Sequence, residues 1–304
     1  MVLLNPTAGG GKTSDLSRNL EAMFASAGAP ARVVLLQSPA RTADDVRRAV
    51  QAGATVVVAG GGDGTVSTVA AAALEAEATL GVLPLGTLNH FARDLGMPQD
   101  LEQAVGAIAA GHRSRVDVGE VNGRPFINNA SIGIYPDIVL EREALRARGL
   151  RKWTAFAVAT TTVLRRFHGV LVRVSSEAST ETFRTPFLFI GNNEYQLEGI
   201  SAGTRRRLDG GKLHVYVAPR TRARDLPILA TAALIGGAAR NPSLRAFATA
   251  SLDVGTPGRR HLHVALDGEV MHMAPPLRFR IRERALEVVG REPGAAADEE
   301  NSGV

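Results

Sequence analysis

The sequence predicts an α/β N-terminal domain, a parallel sheet with helices on both faces, followed by an antiparallel β-sandwich-like domain with a helical insertion. Three observations carry this. Short β-branched runs alternate with helical stretches of about ten residues through the first third, the pattern of successive βαβ units. Glycine clusters fall where those strand runs end, at Gly9–Gly11, Gly60–Gly64 and Gly86, and open parallel sheets bind ligands beyond their carboxyl ends. From Val116 onward the chain changes to strand runs separated by turn signals. The length of 304 residues suits two domains, which we place at 1–115 and 116–290. The small, polar stretch 291–304 is expected to be a disordered tail.

Taken in order, Val2-Leu3-Leu4 reads as a buried strand that stops at Asn5-Pro6. Ser14–Ala27 has helical spacing, with Leu16, Leu20, Met23 and Phe24 on one side. Arg32–Leu36 is a strand, Ala43–Ala52 a helix, Thr55–Ala59 a strand, Val66–Glu77 a helix and Gly81–Leu83 a strand. In the second part the strand runs are Val116–Val121, Pro125–Ala130, Val170–Val174, Phe183–Ile190, Leu213–Val217, His261–Leu266 and Val270–Met273. Asn122-Gly123 marks a turn. Two helical segments, Ile138–Phe167 and Arg222–Gly236, interrupt these strands.

Composition excludes several classes. With 45% hydrophobic and 21% charged residues the chain is neither disordered over most of its length nor a bundle of membrane spans. Its longest apolar stretches, Trp153–Leu164 and Leu226–Ala239, fall short of the ~20 residues that cross a bilayer. No basic start with an apolar run and cleavage site opens the chain, so a signal peptide is not expected. The chain begins almost inside its first strand, which leaves room for an upstream start. With no cysteine there is no disulfide, thiolate metal site or cysteine nucleophile, and a reducing cytoplasm is the natural setting. Only Lys12, Lys152 and Lys212 among the 35 basic residues are lysine; arginine suits phosphate and anionic surfaces. A net charge of +5 without a basic tract, zinc-finger spacing or RNA-binding aromatics gives no sign of nucleic acid.

Three motifs carry chemistry. Asn5-Pro6-Thr7-Ala8-Gly9-Gly10-Gly11-Lys12 resembles a phosphate loop, but Pro6 stands where a Walker motif needs glycine. Its backbone N–H groups suit a phosphate or ribose; the alternative is a connecting turn. Gly60-Gly61-Gly62-Asp63-Gly64-Thr65 follows an apolar strand and opens a helix, yet lacks the third glycine of the dinucleotide fingerprint. An aspartate amid phosphates is repelled unless a divalent cation bridges them, so Asp63 implies Mg2+. The plainer alternative is Asp63 as a helix N-cap. In Pro84-Leu85-Gly86-Thr87-Leu88-Asn89, proline and glycine stiffen the loop, and Thr87 and Asn89 offer hydrogen bonds toward the same strand ends.

In combination these motifs resemble the diacylglycerol kinase catalytic-domain family, which includes bacterial lipid kinases and sphingosine kinases. The resemblance rests on NPTAGGGK, GGGDGT at 60–65 and PLGTLNHFARDLG at 84–96. It continues through Val116-Asp117-Val118-Gly119, Gly191-Asn192-Asn193, Leu208–Val215 and Leu266-Asp267-Gly268-Glu269. It implies an ATP- and Mg2+-dependent kinase acting on a lipid hydroxyl. Nucleotide contacts would come from Asn5, Pro6, Thr7, Ala8, Gly9, Gly61, Gly62, Asp63, Gly64, Thr65, Thr87 and Asn89, with Thr42 at looser spacing. Glu269 would be the general base with Asp267 beside it, and Asp63 and Asp117 would serve the magnesium network.

Two positions depart from the pattern. His90 stands where many bacterial members carry aspartate, and imidazole cannot give magnesium a hard carboxylate oxygen. Asp209-Gly210-Gly211 replaces an Asp-Asp-Gly stretch, which puts a structural magnesium site in doubt. Asp267-Gly268 is also an ideal two-residue hairpin turn, which would pair Leu266 with Glu269 and His263 with His272. His261, His263 and His272 would then share a face; with no obvious acid to complete a metal site, they read as surface histidines. The insertion Glu141–His168 carries Arg142, Arg146, Arg148, Arg151, Lys152, Arg165 and Arg166 around Trp153, Phe156 and Phe167, a composition that suits either anionic lipid or a solvated helical hairpin.

The resulting expectation is a cytoplasmic enzyme, peripheral at the inner membrane face, with a diacylglycerol-like membrane lipid as its substrate. A homodimer stays open. The rival enzyme is a soluble-acceptor kinase of NAD kinase type, which shares a GGDGT loop; the rival class is a non-catalytic nucleotide or lipid binder, which would not need Asp63, Asp117, Asp267 and Glu269 together.

Overall fold

Strands covered by helices on both faces must be apolar throughout, and the first strands are: Val2–Leu4 is wholly buried and Val56–Gly61 nearly so. In the computed structural model the described residues are 1–8, 13–166, 169–196, 203–219 and 244–290. The chain divides into two compact units, residues 1–118 with 283–304, and residues 119–282.

The first unit contains β1 (Val2–Leu4), α1 (Thr13–Ser26), β2 (Val33–Leu35), α2 (Pro39–Gln51), β3 (Val56–Gly61), α3 (Asp63–Glu75), β4 (Thr79–Pro84), α4 (His90–Asp94), α5 (Leu101–Ala110) and most of β5 (Arg113–Val121). Its strands pair in parallel in the order β2-β1-β3-β4. The chain therefore steps from β1 to one side and returns across it to β3. That reversal is a topological switch point, and it lies at the ends of β1 and β3 where the glycine loops begin.

The second unit continues with β6 (Arg124–Phe126), β7 (Asn129–Gly133), α6 (Ile134–Ala147), α7 (Lys152–Arg166), β8 (Val170–Ser176), β9 (Thr180–Thr185) and β10 (Phe187–Asn192). After these come β11 (Leu213–Val217), β12 (Arg245–Thr249), β13 (Ser251–Gly255), β14 (Leu262–Leu266), β15 (Glu269–Met273) and the start of β16 (Leu277–Val289). One antiparallel sheet runs β12-β11-β10-β7-β14-β15. The start of β16 with β13, β8 and β9 forms a second antiparallel set. Alternate residues of both bury a shared core that includes Ile132, Val172, Ile190, Val264 and Phe279, the inward and outward alternation of a sandwich.

The structure differs from the expected elements in several places. The run 125–130 is two strands in different sheets, β6 and β7, and β12, β13 and β16 lie where no strand was expected. The boundary near 115 falls at 118, but the chain re-enters the first unit at its end. There β16 pairs in parallel with β4 at Val288 and Leu80. Glu287 secures this return by accepting from Thr79 and from Arg113 Nη1. The Thr79 hydroxyl and then the Arg113 guanidinium hold its carboxyl below the usual carboxylate range. The helical segment 138–167 is two helices, parted where Gly149 adopts φ +93°. The run 183–190 is two strands in different sheets, since Pro186 stands between them and has no N–H to donate. Helices α4 and α5 were not anticipated, although α5 has a readable start and stop: Asp100 accepts from Gln103 N at 3.0 Å, and Gly111 closes it at φ +75°. The expected helix 222–236, Gly9–Gly11 and the tail 291–304 lie outside the described residues.

Candidate active site

In the first unit three loops leave the strand ends and are tied together by short polar side chains. Asn5, just past β1, donates its backbone N–H to Gly60 O at 2.8 Å and its Nδ2 to Thr65 Oγ1 at 2.9 Å. Its Oδ1 accepts from both the backbone N–H and the hydroxyl of Thr7, each at 2.9 Å. Asn5 thus fastens the loop after β1 to the loop after β3. Asn89 braces the loop after β4 internally: it sits in the left-handed region at φ +52°, accepts from Gly86 N at 2.8 Å and donates to Pro84 O at 3.1 Å.

The glycines are needed for close approach. A Cβ on Gly86 would lie 2.5 Å from Gly62 Cα, and one on Gly61 would lie 2.6 Å from Thr65 Oγ1. Small residues therefore line a cradle floored by the N-terminus of α3. Pro6, Thr7, Gly64 and Thr87 are exposed along it. Ala8 is buried, and Gly9 lies outside the described residues. Thr42 is 1% exposed with its hydroxyl on Ser38 O at 3.3 Å, so the structure does not present it to a ligand.

Asp63 is the first residue of α3, whose N-cap is Gly62, so it is not the cap of its own helix. Its Oδ1 instead accepts the backbone N–H of His90 at 2.8 Å. Any residue but proline supplies that N–H, so histidine in place of aspartate at position 90 leaves the contact intact. Asp117 is 1% exposed and its Oδ1 accepts Arg284 N at 2.8 Å, holding Arg284 at φ +47°. Among the described residues no three His, Asp or Glu side chains form a ligand set.

In the second unit β14 and β15 form the expected hairpin. Asp267 and Gly268 have φ +48° and +90°, and Leu266 faces Glu269 while His263 faces His272. Glu269 is exposed at the first position of β15, and its carboxylate bonds no described residue. The family resemblance puts Asp267 beside it as a catalytic acid; in the structure the Asp267 carboxylate is held by main chain. Both oxygens accept backbone N–H groups, from Ile127 at 2.9 Å, Asn128 at 2.8 Å and Asn129 at 3.0 Å, while Asp267 N donates to Asn129 O at 2.9 Å. Asp267 thus ties the hairpin turn, two residues before Glu269, to residues 127–129.

Removing that clasp strands three N–H groups, each costing about 1–3 kcal/mol when left buried and unpaired. Asp267→Ala should lower unfolding stability by about 3 kcal/mol in a urea titration, and Asp267→Asn by less. An unchanged midpoint in the alanine variant would show that the clasp carries no load.

Beneath this hairpin lies a polar knot that no local pattern announced. Arg205, 3% exposed, donates to Ile127 O at 2.7 Å, Asn192 O at 2.9 Å and Asn128 Oδ1 at 2.8 Å. Asn129 reaches Tyr195 Oη at 3.3 Å, and Tyr195 lines a cleft of about 790 Å³ with Asn193, His214, Tyr216 and Phe247. Burial holds the His214 imidazole below its ordinary value against the pull of Glu194, and raises the Tyr216 phenol. Asn193 Oδ1 accepts Gly210 N at 2.8 Å, and a Cβ on Gly210 would meet that oxygen at 2.7 Å. A side chain at Gly210 would thus displace the Asn193 amide. On the outer face of the hairpin, His263 Nδ1 meets Asp137 Oδ1 of α6 at 2.7 Å and packs edge-on against His272. An acid does face these histidines, supplied by a helix far away in sequence.

Comparison with known proteins follows the same division. A family model for the diacylglycerol kinase catalytic domain matches residues 1–121, and one for the YegS C-terminal NAD kinase beta sandwich-like domain matches residues 130–290. A Pseudomonas aeruginosa protein named "Probable lipid kinase YegS-like" is 34% identical over 258 residues, covering 80% of this chain and 79% of its own. A Staphylococcus carnosus diacylglycerol kinase is 25% identical over 275 residues, covering 88% and 87%. A crystal structure of a diacylglycerol kinase from Bacillus anthracis superposes with a TM-score of 0.70 at 18% identity, covering 96% of each chain. At that identity the likeness concerns the fold.

Proposed function

The chain belongs to the diacylglycerol kinase catalytic-domain family, and from that premise we propose that it transfers the γ-phosphoryl group of ATP to the hydroxyl of a membrane lipid of diacylglycerol type. The observation that carries this reading is the cradle at the switch point, where glycine loops, a helix N-terminus and one carboxylate face the same strand ends. Backbone N–H groups at the start of α3 suit phosphate oxygens. Asp63 among phosphates needs a divalent cation, and magnesium is commonly held by one or two carboxylates together with substrate phosphates. The residues present fit such an ion, with Asp63 as its protein ligand. When bound, Mg2+ neutralises charge on the phosphates.

The chain's own residues account for the remaining work. Asn5 and Asn89 hold the loops so that the triphosphate is positioned rather than merely attracted. Glu269, exposed and uncommitted, takes the proton of the acceptor hydroxyl. The acceptor oxygen then bonds the γ-phosphorus as the bond to the β–γ bridging oxygen breaks, and ADP leaves. The cleft joined to this hairpin through Asn129 and Tyr195 sets Tyr195, Tyr216 and Phe247 beside Glu194, Arg206 and Arg207, a mixed lining that suits an acceptor with both apolar and polar groups. This reading puts the enzyme at the cytoplasmic face of the membrane; no described helix is long and apolar enough to cross one.

The test offers γ-labelled ATP and magnesium with mixed micelles of diacylglycerol, phosphatidylglycerol or a sphingoid base, and with NAD in solution. Label is expected in a lipid product, diacylglycerol foremost. Label in NAD alone would replace the reading with a soluble-acceptor kinase.

A further inference from the structure

Helix α7 has one buried seam and an outer side without charge. Only Ala155 and Ala159, one turn apart, are buried in it. Around that seam Trp153 is 75% exposed, Phe156 43% and Val158 41%. From Trp153 to Leu164 there is no Asp, Glu, Lys or Arg. A solvent-facing helix ordinarily carries charged and polar side chains on its outer face; here that face is apolar with a few hydroxyls. The charge is gathered at the two ends instead. Arg151 and Lys152 precede the uncharged stretch, Arg165 and Arg166 follow it, and all four are exposed. None pairs with a carboxylate among the described residues, and Lys152 Nζ lies 5.8 Å from the Trp153 ring centroid.

We propose that α7 docks flat on an anionic bilayer, with Trp153 and Phe156 entering the boundary between headgroups and acyl chains and the two basic pairs binding lipid phosphates. A helix of this length spans about 22 Å, too short to cross a hydrocarbon core of about 30 Å and suited to lying along its surface. The side chains fit that depth: an indole sits at the interface, and Lys and Arg stems reach past it to the headgroups. A second copy of this chain is a poorer occupant, because pairing α7 with itself brings the same cations together. An anionic leaflet favours every one of them, by roughly fivefold in affinity per basic residue. The proposal deepens the lipid-kinase reading by saying how the enzyme reaches its acceptor, and rests on it for purpose alone.

Trp153 is the sole tryptophan, so the emission of the full chain reports directly on this helix. Phosphatidylcholine vesicles containing phosphatidylglycerol should shift that emission to shorter wavelength, and brominated acyl chains should quench it. Phosphatidylcholine alone should do so far more weakly. The double variant Arg151→Glu/Lys152→Glu should bind the anionic vesicles at least tenfold more weakly, yet phosphorylate a short-chain acceptor in detergent micelles as the parent does. An emission already at short wavelength without vesicles would mean that protein covers the helix, this chain or a second copy, and would overturn the proposal. So would an emission that anionic vesicles leave unchanged. Label in lipid with no vesicle response sinks the docking and leaves the kinase; vesicle response with no labelled lipid does the reverse.

Discussion

Glu269→Gln is expected to lower lipid phosphorylation by a factor of about 10² to 10⁴, the contribution typical of a general base, while leaving stability unchanged. The amide has the size of the carboxylate but cannot take the acceptor's proton. Stability should hold because Glu269 is exposed and its carboxylate bonds no described residue, and surface changes of that kind stay within about 0.5 kcal/mol. The loss should fall on kcat, with the KM for ATP unaltered, because the nucleotide cradle is built from other residues. Initial rates against ATP and lipid, with a urea titration on the same preparation, separate the outcomes. Activity within a few-fold of the parent would remove Glu269 as the base. A large loss accompanied by a lower unfolding midpoint would point instead to the behaviour expected of Asp267→Ala, where the hairpin itself is released.

Gly86→Ala should cost both nucleotide affinity and stability. The added methyl carbon would stand 2.5 Å from Gly62 Cα and 2.8 Å from Asn89 Oδ1. The first is main chain and the second is held by Gly86 N, so neither can swing aside cheaply. Either the loop after β3 or the loop after β4 must move, at a typical overpacking cost of about 1–3 kcal/mol. ATP affinity is expected to fall at least tenfold, equivalent to about 1.4 kcal/mol, when measured by calorimetry with magnesium. Gly64→Ala is the stability control: its Cβ meets nothing within 4 Å, and alanine within α3 is a better helix former by up to about 1 kcal/mol. Two glycines of neighbouring motifs should thus respond with opposite sign. Normal ATP binding by Gly86→Ala would show that this close packing does not shape the cradle.

His263 shows how far pattern reading can go. Its pairing with His272 follows from the Asp-Gly turn alone, because a two-residue hairpin sets its own register. Its contact with Asp137 does not, because α6 and β14 are brought together only by the packing of the second unit. Asp63 behaves alike. Glycines on either side predict a phosphate-facing loop, but nothing local indicates that the carboxylate will hold the N–H of His90.

By itself the sequence determined the alternation of strands and helices, the parallel first sheet, the glycine loops at its strand ends and the hairpin that carries Glu269. Each is written in spacing of a few residues: a period of two or 3.6, a left-handed turn, a glycine where no Cβ fits. Only the tertiary structure decided that the end of β16 returns to β4, that Asp267 clasps residues 127–129, that Asn193 bonds Gly210, and that Trp153 and Phe156 of α7 are exposed. Those outcomes depend on which distant segments meet when apolar surface is buried and buried polar groups find partners, and neither condition is recorded in the residues' immediate neighbours.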